Sequence, residues 1–265
     1  MPLGLAFMVI RGQENEVQRL SGKIAFVTGA GGGIGNSICG RFLEEGALVT
    51  AADLSLELAT LAIDGAKEAH RAIAVQCDVG DSASVRAAIA KSIDAFGSLN
   101  VICNVAGGST SADGPVTEAP EEEFWRAIRL DLFGTFLCCK YGIPALLKAG
   151  GGSVINMTSM AALTAVTDRT CYAAAKGGVI ALTRSMAADY ARHSVRANAI
   201  APGITLTSRI RSMMESGEGM GKYIDRHLLG LVEPVDVANM AVYLASDESR
   251  VVTGQVLAVD SGVTI

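Results

Sequence analysis

The chain has 265 residues, 50% of them hydrophobic and 18% charged, with a formal net charge of −5. That length suits one α/β domain or two small ones with an ample core, and the composition excludes a disordered chain. No Lys- or Arg-rich block occurs, which argues against nucleic acid or an anionic membrane as a partner.

Residues 1–20 read as an N-terminal extension. Their apolar run ends at Arg11, too short to cross a bilayer, and they lack a basic leader or a small-residue cleavage site. From residue 21 to 265 short apolar runs alternate with longer helical patterns. The predicted strands are Ile24–Thr28, Leu48–Ala52, Ile73–Gln76, Val101–Asn104, Val154–Met157, Arg196–Ala201 and Val256–Val259. Most show little alternation, as expected of strands buried on both faces. Between them lie the predicted helices Ile34–Glu45, Leu56–Ala69, Ser82–Phe96, Glu121–Lys148, Tyr172–Arg192 and Pro234–Ala245. A β-α-β-α rhythm with right-handed crossovers predicts one doubly wound, Rossmann-type α/β domain. The excursion Leu206–Leu229 breaks the rhythm; its Met and Gly residues fit a mobile lid, and equally an ordinary surface loop.

The first strand runs into Thr28-Gly29-Ala30-Gly31-Gly32-Gly33-Ile34-Gly35, and a helical pattern follows at once. Strand, glycine turn and helix N-terminus put backbone N–H groups and a positive dipole end beside a pyrophosphate. Side chains at Gly29, Gly33 or Gly35 would block that approach. Asp53 closes the second strand, about 20 residues on, where an acid hydrogen-bonds a ribose 2′-hydroxyl and repels a 2′-phosphate. With no Lys or Arg beside it, NAD is favoured over NADP. As a helix cap Asp53 would serve structure instead, and the two roles are compatible.

Tyr172 and Lys176 share one face of a predicted helix. A free phenol ionises near ~10 and is a poor base at neutral pH, and a cation held beside it favours phenolate. Ser159 follows a predicted strand, at the sheet end where such folds present ligand sites. The trio suits proton transfer to and from an alcohol or carbonyl oxygen. His70, His193 and His227 are scattered without ligand spacing, so no metal is expected. The six cysteines lack C-x-x-C spacing and read as buried, reduced thiols of a cytoplasmic protein.

In these motifs the sequence resembles the short-chain dehydrogenase/reductase superfamily from Lys23 to the C-terminus. The resemblance rests on Thr28–Gly35, Asp53, Asp78-Val79, Asn104-Val105-Ala106-Gly107, Ser159, Tyr172-x-x-x-Lys176, Pro202-Gly203 with Thr205 and Thr207, and Thr253–Gly262. It implies a sheet of strand order 3-2-1-4-5-6-7. Gly29, Gly32, Gly33, Ile34 and Gly35 would meet the pyrophosphate, Asp53 and Leu54 the adenosine ribose, and Asp78 and Val79 the adenine. Asn104, Ala106 and Gly107 would line the central cofactor path, and Pro202, Gly203, Thr205 and Thr207 would hold the nicotinamide. Tyr172 would be the general acid/base, Ser159 the group that orients the substrate oxygen, and Lys176 the ribose ligand that tunes Tyr172.

Two positions depart from the family pattern. Val105 stands where Asn is usual, and Asp131 stands where many members carry an Asn that supports a relay to Lys. Asp131 is expected to serve through its backbone carbonyl while its charge raises the pKa of Lys176 and shifts activity toward alkaline pH. The implied function is interconversion of a secondary alcohol and a ketone with NAD(H). Alternatives are an NADPH-dependent 3-oxoacyl-carrier reductase, which Asp53 opposes, and a non-catalytic dinucleotide sensor, which the intact Ser-Tyr-Lys trio opposes. A sugar-nucleotide epimerase would need more chain beyond the sheet. Segments Gly108–Glu118 and Leu206–Leu229 are expected to shape the substrate pocket, and the Met, Leu and Ile residues of the second point to a modest apolar, cyclic substrate. Family analogy adds a homotetramer packed through Glu121–Lys148 and Tyr172–Arg192.

Overall fold

The apolar runs become seven parallel strands in the order β3-β2-β1-β4-β5-β6-β7. They are β1 (Ile24–Thr28), β2 (Leu48–Asp53), β3 (Ala72–Gln76), β4 (Val101–Asn104), β5 (Gly152–Met157), β6 (Val195–Pro202) and β7 (Val256–Val259). The structure, a computed structural model, describes residues 18–64, 70–215 and 221–265. Every residue of β1 is buried, because successive side chains point to opposite faces and both faces are covered. Ala25 and Val27 join one core with Ile38 and Phe42 of α1 (Gly33–Glu44) and Val237, Ala241 and Leu244 of α9 (Pro234–Ala245). Ile24 and Phe26 join the other, with Val85 and Ile89 of α3 (Ser82–Phe96) and Leu137 and Leu146 of α5 (Gly134–Lys148).

Local chemistry sets the helix limits. Asp81 accepts from the Ser84 amide at 2.8 Å to start α3, and Gly97, at φ 78°, ends it in the left-handed region. Pro234 opens α9, with Glu233 and Asp236 capping each other's backbone amides. Two expectations are corrected. The stretch Glu121–Lys148 is not one regular α-helix: α4 (Glu121–Ala127) gives way to a π-helical turn, Ile128–Phe133, before α5 begins. The other is that Leu20, which the sequence assigned to the extension, is fully buried, its amide donating to the Glu45 carbonyl at 2.8 Å. Helix α2 spans Leu56–Leu61, and residues 65–69 of the longer helix expected there lie outside the described residues, as do 1–17 of the extension.

The strand order reverses between β1 and β4, so the connections after them leave in opposite directions and a crevice opens at their C-terminal ends. Helix α6 (Thr170–Tyr190) packs beside β5 and β6, bringing its first turns to the same end of the sheet.

Candidate active site

Two cavities meet in that crevice. One, of about 430 Å³, is lined by the glycine loop, Asp53, Leu54, Asp78, Val79, Ala106 and Gly107. Its floor has room only for glycine. Gly29 sits at φ 65°, where an added Cβ would lie 2.8 Å from the Ala106 backbone, and a Cβ on Gly35 would overlap the Gly29 carbonyl. A Cβ on Gly33 would press on Thr207 at 2.8 Å. The loop therefore delivers bare backbone to the start of α1, where unpaired N–H groups favour an anion. The Asp53 carboxylate is fixed by two amides, Gly31 at 2.9 Å and Ser55 at 3.0 Å. Both oxygens keep acceptor capacity toward the cavity. A neutral cradle for a diphosphate with an acid at the end of β2 fits a nicotinamide dinucleotide.

The second cavity, of about 530 Å³, contains Ser159, Tyr172 and Lys176, with Pro202, Gly203 and Thr205 on one side. Ile34, Gly107, Thr207 and Arg209 line both cavities. Ser159 follows the end of β5, its Oγ accepting from the Ala161 amide at 3.2 Å. Lys176 is only 3% exposed. Its ammonium donates to the Met157 carbonyl at 2.9 Å and pairs with Asp131 Oδ1 at 2.9 Å, and it lies 5.6 Å from the centre of the Tyr172 ring. Burial pulls the Lys176 pKa down, but the Asp131 carboxylate and Tyr172 pull harder, and the net shift is upward.

Asp131 is fully buried and lines neither cavity. The π-helical turn aims it inward. Its backbone carbonyl accepts from Thr135 Oγ1 at 2.8 Å, and Oδ1 also accepts from the Gly108 amide at 2.9 Å. Oδ2 has no hydrogen-bond partner among the described residues. Gly107, at φ 134°, leaves the space that this carboxylate fills. Asn104, expected on the cofactor path, instead turns into the core and donates to Asn156 Oδ1 at 2.8 Å, outside both cavity walls. Apart from these two, every residue assigned a catalytic or cofactor-binding role from the sequence lines one cavity or both.

The lid candidate holds two short helices, α7 (Ser208–Glu215) and α8 (Gly221–Ile224), and contributes Met213 and Tyr223 to the second cavity. Its two ends are pinned where Thr205 pairs with Val232. Residues 216–220, which include Met220, lie outside the described residues. Three residues here gave no signal in the sequence, because their partners are remote. His227, buried, accepts from the Ile204 amide on Nε2 at 3.0 Å and meets the Tyr223 carbonyl through Nδ1 at 2.8 Å. Arg209 reaches across to the Ser109 carbonyl at 2.8 Å. Asp113, 6% exposed, accepts from the first turn of α6. The second cavity also carries Asp168 and Arg169, so its walls hold more charge than the sequence segments implied.

All six cysteines are buried and unpaired. Burial pushes the Cys39 and Cys139 thiols up to about 12 and the Cys77 thiol up to about 11, which keeps them unreactive. Among the described residues, no three His, Cys, Asp or Glu side chains group as a metal site.

A glycine cradle at the switch point of a doubly wound sheet, opening onto a buried lysine beside a tyrosine, defines a dinucleotide-dependent oxidoreductase. Comparison with known proteins agrees. A family model described as enoyl-(acyl carrier protein) reductase matches residues 29–264. An uncharacterised oxidoreductase of Bacillus subtilis is 40% identical over 254 residues, 92% of each chain. The 2,5-dichloro-2,5-cyclohexadiene-1,4-diol dehydrogenase of Sphingobium indicum is 37% identical, covering 92% of this chain and 98% of its own. The solved structure of a 7α-hydroxysteroid dehydrogenase complexed with NADH and 7-oxo glycochenodeoxycholic acid superposes with a TM-score of 0.84 at 32% identity, covering 93% of this chain and 96% of that one. The chain belongs to the short-chain dehydrogenase/reductase superfamily.

Proposed function

We propose that the protein interconverts a secondary alcohol and a ketone with NAD(H), Tyr172 acting as the general acid/base. The observation that carries this reading is the buried Lys176 ammonium, fixed by Met157 and Asp131, 5.6 Å from the Tyr172 ring at the wall of a cavity shared with Ser159. The glycine loop and Asp53 would hold the dinucleotide, with Pro202, Gly203, Thr205 and Thr207 near its nicotinamide end. When bound, the cofactor accepts or donates the hydride. The Ser159 hydroxyl orients the substrate oxygen. In oxidation the Tyr172 oxygen takes the hydroxyl proton, and in reduction it returns one to the carbonyl oxygen. The Lys176 charge favours phenolate. Two features support NAD over NADP: the Asp53 carboxylate is held in place by two amides, and among the described residues the only basic one on the first cavity's wall, Arg209, belongs to α7 rather than standing beside Asp53.

For the substrate, Met157, Met160, Val166, Ile204, Ile210 and Met213 supply an apolar wall, which favours a cyclic alcohol or ketone of modest size. The dehydrogenase relatives that act on a cyclohexadiene diol and a hydroxysteroid support the same choice. A homotetramer is part of the reading, packed through Glu121–Lys148 and Tyr172–Arg192; in the first of these Trp125 is 63% exposed and Phe133 and Phe136 stack at 6.0 Å on the surface. Turnover of a panel of alcohols and ketones with NAD(H) and NADP(H), followed at the nicotinamide absorbance, tests the reaction. Tyr172→Phe should lower kcat by at least about a hundredfold and leave NADH affinity nearly unchanged. A variant with near-native turnover would refute the assignment.

A further inference from the structure

Helix α6 begins without a cap of its own. Arg169 stands at the cap position with no side-chain hydrogen bond to the helix, and the first turn contains no acid. Two of the amides that open the helix are nonetheless paired. The Cys171 amide donates to Asp113 Oδ1 at 3.0 Å, and the Tyr172 amide donates to Asp113 Oδ2 at 2.9 Å. The Gly114 amide adds a third bond to Oδ1 at 2.9 Å. Asp113 comes from the loop between β4 and α4, 58 and 59 residues before its partners, and it also lines the second cavity. A carboxylate that bridges two successive amides of a first turn fixes both the rotation of that turn and its distance from the loop. One of those amides belongs to the tyrosine whose oxygen must reach the substrate.

We propose that Asp113 is a positioning residue for Tyr172: supplied from the facing wall of the cavity, it caps α6, sets where the phenol stands, and places a negative charge at the helix end where the phenol ionises. This rests on Tyr172 being the acid/base. The loop that carries Asp113 is itself tied down, since Arg126 of α4 donates to the Gly108 carbonyl at 2.9 Å while forking onto Glu123. The same carboxylate therefore couples the substrate wall to the tyrosine. The charged and titratable groups around this helix start are Lys176 and Cys171 on α6, Asp131 on the π-helical turn, Glu123 and Arg126 on α4, and Asp168 and Arg169 on the preceding loop. None of these groups is itself substituted in the test, so a change in pH response is read against the lost Asp113 carboxylate.

The test compares Asp113→Asn and Asp113→Ala with the wild type in the full-length enzyme. Asparagine is isosteric and keeps one acceptor oxygen but turns an N–H toward an N–H at the other bond; alanine removes all three bonds. NADH affinity, read by fluorescence titration, should stay within about twofold in both, because the dinucleotide cradle is on other elements. Turnover should fall, by up to about a hundredfold in the alanine variant, the loss expected for displacing a reacting group by an ångström, and by less in the asparagine variant. In both, the pH limb for alcohol oxidation should move to lower pH, since the phenolate loses a nearby negative charge. Unchanged turnover and pH limb in a folded Asp113→Asn enzyme would overturn the proposal. So would a loss of NADH affinity equal to the loss of turnover, which would mean general loosening. Failure of the acid/base reading itself would show separately, as retained activity in Tyr172→Phe.

Discussion

At Asp131 the chain sets a carboxylate against the buried Lys176 ammonium. The carboxylate and the Lys176 ammonium are both buried, 2.9 Å apart. Together they are nearly neutral, so the phenol beside them feels less positive charge than a bare ammonium would exert. Asp131→Asn keeps an oxygen for the Gly108 amide but leaves Lys176 without a counter-charge. The pH limb for oxidation should then move to lower pH in the variant, and a pH–rate profile identical to wild type would contradict this account. Folding stability should fall by roughly 3 kcal/mol, as when one partner of a buried pair is removed. The linkage has a definite sign. Lys176 has a raised pKa in the folded protein, so the stability that it contributes is complete below the ordinary value of 10.5 and is lost as pH rises through the raised value. Denaturant titrations from neutral to strongly alkaline pH read that loss, and the asparagine variant should lack it.

At the scale of elements, the excursion between β6 and α9, which lends Met213 and Tyr223 to the wall of the second cavity, is tied down at one end by His227. Since Nε2 accepts from Ile204, the ring is neutral and its proton sits on Nδ1, donating to Tyr223. His227→Leu would strand the Ile204 amide and the Tyr223 carbonyl, a loss of about 1–3 kcal/mol, or about five- to 150-fold in the hold on this excursion. Substrate KM should rise within that range, and limited proteolysis should cut between residues 206 and 229 sooner. Unaltered KM and cleavage would show that the histidine does not hold the excursion in place.

The same region shows what the sequence could reveal. Strands β1, β4 and β7 and helices α3 and α9 are legible to the residue, because unbroken apolar runs, a capping Asp81 and a leading Pro234 act locally. The glycine loop, Asp53 and the Tyr172–Lys176 pair are legible for the same reason. The π-helical turn is not. An extra residue in a helix leaves the apolar pattern of Glu121–Lys148 nearly intact while rotating Asp131 into the core. Asp113 and His227 were invisible as site residues because their roles depend on amides 58 and 23 residues distant. Asn104 misled in the opposite sense: its motif implied the cofactor path, but a buried amide partner, Asn156, claims its side chain.

For the molecule as a whole, the two cores on either face of the sheet share only the strands between them, and the crevice lies where β1 and β4 diverge. A ligand there spans both halves of the sheet and binds the folded state alone. NADH at a hundred times its Kd should stabilise the protein by about 2.7 kcal/mol. At the roughly 2–4 °C per kcal/mol typical of chains near this length, Tm should rise by about 5–10 °C. NADPH at the same concentration should give a smaller rise. The Gly31 and Ser55 amides both donate to the Asp53 carboxylate, and the expectation is that a 2′-phosphate would be repelled by it. Asp53→Ser removes that charge while keeping an acceptor for one amide, and should narrow the gap between the two cofactors by weakening NADH and strengthening NADPH. Differential scanning fluorimetry with each cofactor measures both effects. Equal shifts for NADH and NADPH in the wild type would show that Asp53 does not select the cofactor, and the absence of any shift with either would remove the dinucleotide from the crevice altogether.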